Sequence, residues 1–241
     1  MKRFWDTATV AQAEAGYAVL LDGKPLRIPG RNPGGQPLTI TAPALAAAIA
    51  AEWQAAGGAK NGTLSMEDVP LTRLAGTAQD RIVPAPGPVA AALSEYAESD
   101  LICYRAEHPA DLVRRQAAAW DPWLGWAAES LGARLRPVTG IVHGAQDPAA
   151  LEAVRRAMAA QPVLSLAALS IAVPLLGSAV LGLALADGAL DAAAAHEAAA
   201  LDELFQVEKW GEDTEATTRR AGVLEDITLA ERFIRLSRDT A

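Results

Sequence analysis

Hydrophobic and polar positions change their period as the chain proceeds, and each change predicts a different kind of element. Residues 4–40 alternate over short runs broken by glycine and proline, the text of strands and tight turns. Tyr17-Ala18-Val19-Leu20-Leu21 runs into Asp22-Gly23 and returns as Pro25-Leu26-Arg27-Ile28. That predicts a β-hairpin, because Asp-Gly readily takes the positive φ a two-residue turn requires. A second turn region, PGRNPGGQP over 29–37, leads into the strand Leu38-Thr39-Ile40-Thr41. From 44 to 56 the period becomes helical. Leu45, Ile49 and Trp53 recur every four residues, with Pro43 at the start and Gly57-Gly58 at the end. Further helices are predicted over 71–81 and over 89–98, the latter with Leu93 and Tyr96 on its inner face.

The stretch 99–126 joins the two halves. Leu101-Ile102-Cys103-Tyr104, closed by Arg105, reads as a strand, His108-Pro109 as a corner, and the rest as a long helix with Asp111 in its first turn. Trp120, Trp123 and Trp126 put three of the six tryptophans within seven residues. Such a cluster has two uses, filling a core or forming a partner-binding face. Pro122 predicts a kink or a fresh helix start between Trp120 and Trp123. Residues 136–143 read as a short strand, and Asp147 before Pro148 as the N-cap of a helix over 149–160. From there onward the chain reads as helical.

Residues 163–186 carry no charge over 24 positions, enough to cross a hydrocarbon layer that needs about 20. Pro174 in mid-run, the small residues Gly177, Ser178 and Gly182, and the lack of aromatic belts favour two short buried helices meeting near Pro174. The fold class expected is α+β: a β-hairpin-rich mixed α/β domain over 1–88, followed by an all-helical domain over 89–241.

Charge and composition narrow the function. A formal net charge of −8 and a sequence pI near 4.9 argue against nucleic acid as a partner. A single cysteine, Cys103, excludes an internal disulfide framework and a cysteine-based zinc site. The opening MKRFWDTATV lacks the apolar core of a secretory signal, so a cytoplasmic protein is expected. RNPGGQ lacks the spacing of a P-loop, no GxGxxG or GxSxG occurs, and His108, His143 and His196 are scattered. No catalytic residue, cofactor or metal site is therefore assigned. The remaining concentration of chemistry is near the end, where Trp210, Gly211, Glu212, Asp213 and Glu215 set an indole beside acids. It reads as a solvated helix face with a core tryptophan, or as a surface for a basic partner. General acid–base work would further need a cleft and a raised pKa.

Several separated motifs, taken in order, carry a resemblance: LDGKPLRIP, LAAAIAAEW, VPLTRLAGTAQD, SDLICYRAEHP with RQAAAWDPWLGW, an apolar run containing Gly-Ser, and QVEKWGEDTEA. Together they resemble the ATP-twelve-type assembly chaperones of F-type ATP synthase. The resemblance covers nearly the whole chain. It implies a soluble chaperone with a mixed α/β domain and a helical one, which binds the free alpha subunit of the catalytic head until beta subunits replace it, without stable membrane insertion. It also implies that the acid after Trp-Gly, Glu212 here, matters for assembly. Partner-binding candidates are thus Glu212, Asp213, Trp210, Arg105, Trp120 and Trp123. The absence of a presequence suits a bacterial cytoplasmic homologue of the mitochondrial members. Two other readings stand beside this one: an enzyme using Asp121 or Glu212, and a membrane-associated assembly protein built on the run from Val163. Oligomeric state is beyond the sequence.

Overall fold

The structure, a computed structural model, describes residues 1–28, 35–140 and 144–238. Contacts divide the chain into two compact units. The first comprises Met1–Ala85, Val163–Ala168 and Arg232–Ala241, and the second Pro86–Pro162 and Leu169–Glu231. Two short segments from the later part of the chain thus belong with the strand-bearing unit. The class is α+β, with strands first and helices after.

The first unit is built on β1 (Ala8–Ala13) and β2 (Gly16–Leu21), an antiparallel pair in register from Ala8 opposite Leu21 to Ala13 opposite Gly16. The other edge of β2 is shared. β3 (Lys24–Pro25) pairs at Leu20 and Leu21, completing the expected hairpin, with Asp22 and Gly23 at φ 45° and 77°. After β4 (Arg27–Ile28) and its partner β5 (Gln36–Pro37), β6 (Thr39–Ile40) pairs with β2 at Tyr17 and Ala18. Gly16 is required by that approach, since a Cβ there would lie 2.5 Å from the Ile40 carbonyl oxygen. Residues 29–34 of the expected turn region lie outside the described residues.

Helix α1 (Pro43–Ala55) buries Leu45, Ile49 and Trp53, the stripe that the four-residue spacing predicts. Its C-terminal carbonyls meet the buried Arg3, whose Nη1 donates to the oxygens of Gln54, Ala56 and Gly58 at 2.8, 3.2 and 2.6 Å. Trp5 donates from Nε1 to the Trp53 carbonyl at 3.0 Å, and Trp53 from Nε1 to Thr72 Oγ1 at 2.8 Å. Glu52 accepts from the Leu71 and Thr72 amides, tying α1 to the first turn of α2 (Pro70–Thr77). The helix expected over 71–81 therefore begins one residue early, and it gives way to a wider turn at Ala78–Ile82.

In the second unit α3 (Pro86–Ser94) is shorter than the helix expected over 89–98 and ends in a tighter turn at Glu95–Ser99. The strand expected over 101–104 is mostly a turn of 3-10 helix, Leu101–Cys103, because the Asp100 carboxylate accepts from the Ile102 amide at 3.3 Å and curls the backbone. Extended chain is confined to β7 (Tyr104–Arg105), which pairs in parallel with β8 (Val138–Thr139). The strand expected over 136–143 is seen only at β8. His143, with 141–142, lies outside the described residues.

Helix α4 (Ala110–Trp126) passes through Pro122 without ending, so no fresh helix starts there. Proline forfeits one backbone donor, and here the flanking Trp120 is fully buried and bonded to a carbonyl of another helix, which holds the element in place. Asp147 caps α5 (Pro148–Ala159) as expected, accepting from the Ala149 amide at 2.8 Å.

The uncharged run forms α6 (Val163–Leu176) and α7 (Ala179–Asp187). As expected, two helices meet near Pro174, with the break itself at Gly177-Ser178. Gly177 takes φ 61°, and Ser178 Oγ accepts from the Leu181 amide at 3.0 Å, whereas Pro174 sits harmlessly in the last turn of α6. Residues Ala179 to Ala186 are all buried, so the hydropathy belongs to a core helix. No helix among the described residues is long and apolar enough to cross a membrane. Then α8 (Ala192–Ala199), capped by Asp191, α9 (Leu201–Trp210) and α10 (Thr214–Arg238) complete the chain.

Candidate functional site

Helices α4, α8 and α9 of the second unit enclose an open groove of about 490 Å³. Its apolar lining comes from Ala118 and Ala119 of α4, Ala194 and Ala198 of α8, and Leu201, Leu204 and Phe205 of α9, of which Ala198 and Phe205 are buried and form its floor. Trp123 lines one side. Charge sits on the margin, where Arg115 of α4 reaches Glu208 of α9. Its Nη1 donates to both carboxylate oxygens at 2.8 Å, and its guanidinium lies 5.3 Å from the Phe205 ring centroid. The hydrogen bond from Arg115 holds the Glu208 carboxyl below the usual range. An apolar floor with a charged rim is the anatomy of a protein-binding surface.

The α9–α10 elbow, Gly211 to Asp213, follows directly. Trp210 ends α9 with 80 % of its surface in solvent, the most exposed large apolar side chain among the described residues. Gly211 turns the chain at φ 93°. Glu212 Oε1 accepts from Thr217 Oγ1 at 2.8 Å and from Arg220 Nη2 at 3.5 Å, and Asp213 caps α10 by accepting from the Glu215 amide at 2.8 Å.

A matching family model, described as ATP12 chaperone protein, spans residues 2–128. Solved structures extend the likeness to the full length. The crystal structure of Atp12 from Paracoccus denitrificans shares 43 % identity with a TM-score of 0.91, covering 98 % of each chain. A mutant of P. denitrificans Atp12p in which one aspartate is lysine shares 42 % at the same TM-score and coverage. A protein from Agrobacterium tumefaciens shares 39 %, TM-score 0.88, over 97 % of this chain and 85 % of its own. The chain belongs to the ATP12 chaperone family. The groove and elbow, apart from α4, lie beyond the residues the family model matches, so their kinship rests on the full-length structures.

For a member of the ATP12 chaperone family, the six residues singled out from sequence fall into three places. Trp210, Glu212 and Asp213 come together on the elbow. Trp123 is half-buried at the groove. Trp120 and Arg105 are interior: Trp120 is 0 % exposed and donates from Nε1 to the Ala198 carbonyl at 2.9 Å, so it offers a partner no surface. Arg105, with its side chain 10 % exposed, stacks 5.2 Å from the Trp120 ring centroid and forms an ion pair with Asp121 at 2.8 Å, not with Asp100. That Nη2 contact lies off the line of a good hydrogen bond. Asp121 is thereby engaged in structure, and no group of three or more potential metal ligands occurs among the described residues.

Sequence reasoning missed Arg115, Glu208, Glu203 and Arg220. A signal for the groove was present, since Leu201, Leu204, Phe205 and Glu208 occupy one face of α9 at helical spacing. Phe205 is buried, while Leu201 and Leu204 are half-exposed along the groove.

Proposed function

We propose that this member of the ATP12 chaperone family assists assembly of the F-type ATP synthase head in the bacterial cytoplasm, by covering the beta-facing surface of the free alpha subunit until a beta subunit displaces it. The carrying observation is a preformed groove with an apolar floor and charged rim, together with a solvent-exposed Trp210 at the end of one of the helices that build it, in a protein that buries Trp5, Trp53 and Trp120. An unassembled subunit presents an apolar patch that invites aggregation, and a reversible cover needs apolar contacts at its centre and charges round its edge. The action requires occupancy alone and no bond chemistry by this protein.

The test is light scattering from purified alpha subunit diluted out of denaturant. A near-equimolar amount of this protein suppresses scattering, and added beta subunit releases it from the complex. Leu204→Glu, which sets a charge in the groove at a half-exposed position, weakens the protection while the variant stays folded. Aggregation at the same rate with and without the wild-type protein refutes the proposal.

A further inference from the structure

The elbow's own bonding bears on what Glu212 does. Three residues separate α9 from α10, and Gly211 at φ 93° has nothing within 4 Å of the position a Cβ would take, so the backbone there is held by neither side-chain bulk nor packing. Its direction is set by side chains. Thr217 Oγ1 donates to Glu212 Oε1 at 2.8 Å and lies 2.9 Å from the Asp213 carbonyl. Arg220, only 9 % exposed, donates from Nη2 to Thr217 Oγ1 at 3.0 Å and to Glu212 at 3.5 Å, and from Nη1 to Glu203 of α9 at 2.9 Å. A nearly buried guanidinium thus bridges the first turn of α9, the elbow and the start of α10. Glu212 is its contact on the elbow.

We infer that Glu212 is a positioning residue: with Thr217 and Arg220 it latches the α9–α10 elbow so that the Trp210 indole is held out to enter an apolar cleft on the partner, and Glu212 makes no partner contact itself. This rests on the function proposed above. Glu212 Oε1 is already the acceptor for Thr217 Oγ1 and faces the buried Arg220 guanidinium of its own chain, so the carboxylate has a structural task within the elbow. Trp210 has no comparable engagement and presents the side chain most enriched among interface anchors. Fixing an anchor before binding raises affinity by removing its ordering cost from the association step.

Two measurements decide it. In the free protein labelled with 5-fluorotryptophan, the Trp210 resonance, assigned with Trp210→Phe, shifts or changes width in Glu212→Lys and returns in Glu212→Gln, which keeps an oxygen for Thr217 and Arg220. An unchanged Trp210 resonance in Glu212→Lys overturns the latch. In titrations with purified alpha subunit, Trp210→Ala weakens binding at least about tenfold, as loss of an interface anchor does. Glu212→Lys also weakens it, and the double variant binds no more weakly than Trp210→Ala alone. A double variant weakened by the product of the two single effects overturns the inference, because it means that Glu212 contacts the partner independently. Should the wild-type protein fail to bind alpha subunit, the proposed function falls, and the fluorine spectrum of the free protein still judges the latch.

Discussion

Replacing Asp100 by asparagine should remove one component of the protein's dependence of stability on pH. Asp100 is fully buried. Its carboxylate takes the Ile102 amide at 3.3 Å and the Val180 amide at 3.1 Å, with further bonds from the Ser178 hydroxyl and the Ala179 amide, and so caps the start of α7. Burial raises its pKa from 3.8 to about 6, with those hydrogen bonds opposing the rise. The folded chain therefore binds a proton at Asp100 between these values when the unfolded chain does not, and stability falls as pH increases through that window. The contribution is complete below about pH 3.8 and lost above about pH 6. At ~1.4 kcal/mol per pKa unit the loss is on the order of 3 kcal/mol. Urea denaturation of wild type and Asp100→Asn from pH 4 to 7 measures it, because subtracting the two curves cancels other titrating groups. The wild-type advantage should shrink, or its deficit grow, by about that amount with rising pH. A difference that stays flat, or moves the other way, refutes the reasoning.

Gly182→Ala places a Cβ 2.5 Å from Val173 Cγ2 in a closely packed core, and should destabilise the protein by about 1–3 kcal/mol in urea titrations. Adding Val173→Ala should recover part of that loss, and a Gly182→Ala variant as stable as wild type would show that α7 has room to spare. Cys103 is fully buried, and desolvation, then the Asp100 charge, push its thiol up to about 12. Native protein at pH 8 should leave it unmodified by a thiol reagent over a time in which urea-unfolded protein reacts fully.

Much of the local structure was legible from residue order, because it is decided within one turn or one hairpin. Asp22-Gly23, the spacing of Leu45, Ile49 and Trp53, and the cap at Asp147 act on backbone groups a few residues away, and the elements they specify are present. Hydropathy alone marked 163–186 as long enough to span a membrane, and Pro174 with the small residues pointed instead to two short helices; the break between them falls at the Gly177-Ser178 pair, since a left-handed glycine and a capping hydroxyl end helices more effectively than a proline in a last turn. What local order could not decide was the face each residue presents. Trp120 and Trp123 are near neighbours in one helix, but only packing against α8 makes the first a core residue bonded to Ala198 and leaves the second at a groove. Glu212 and Arg220 are eight residues apart and are joined because Glu203, from another helix, fixes the guanidinium between them. Hydrogen bonds within a turn follow from sequence neighbours. Burial, pKa and the partners of a long side chain follow from whichever elements arrive from elsewhere, and these the folded chain alone brings together.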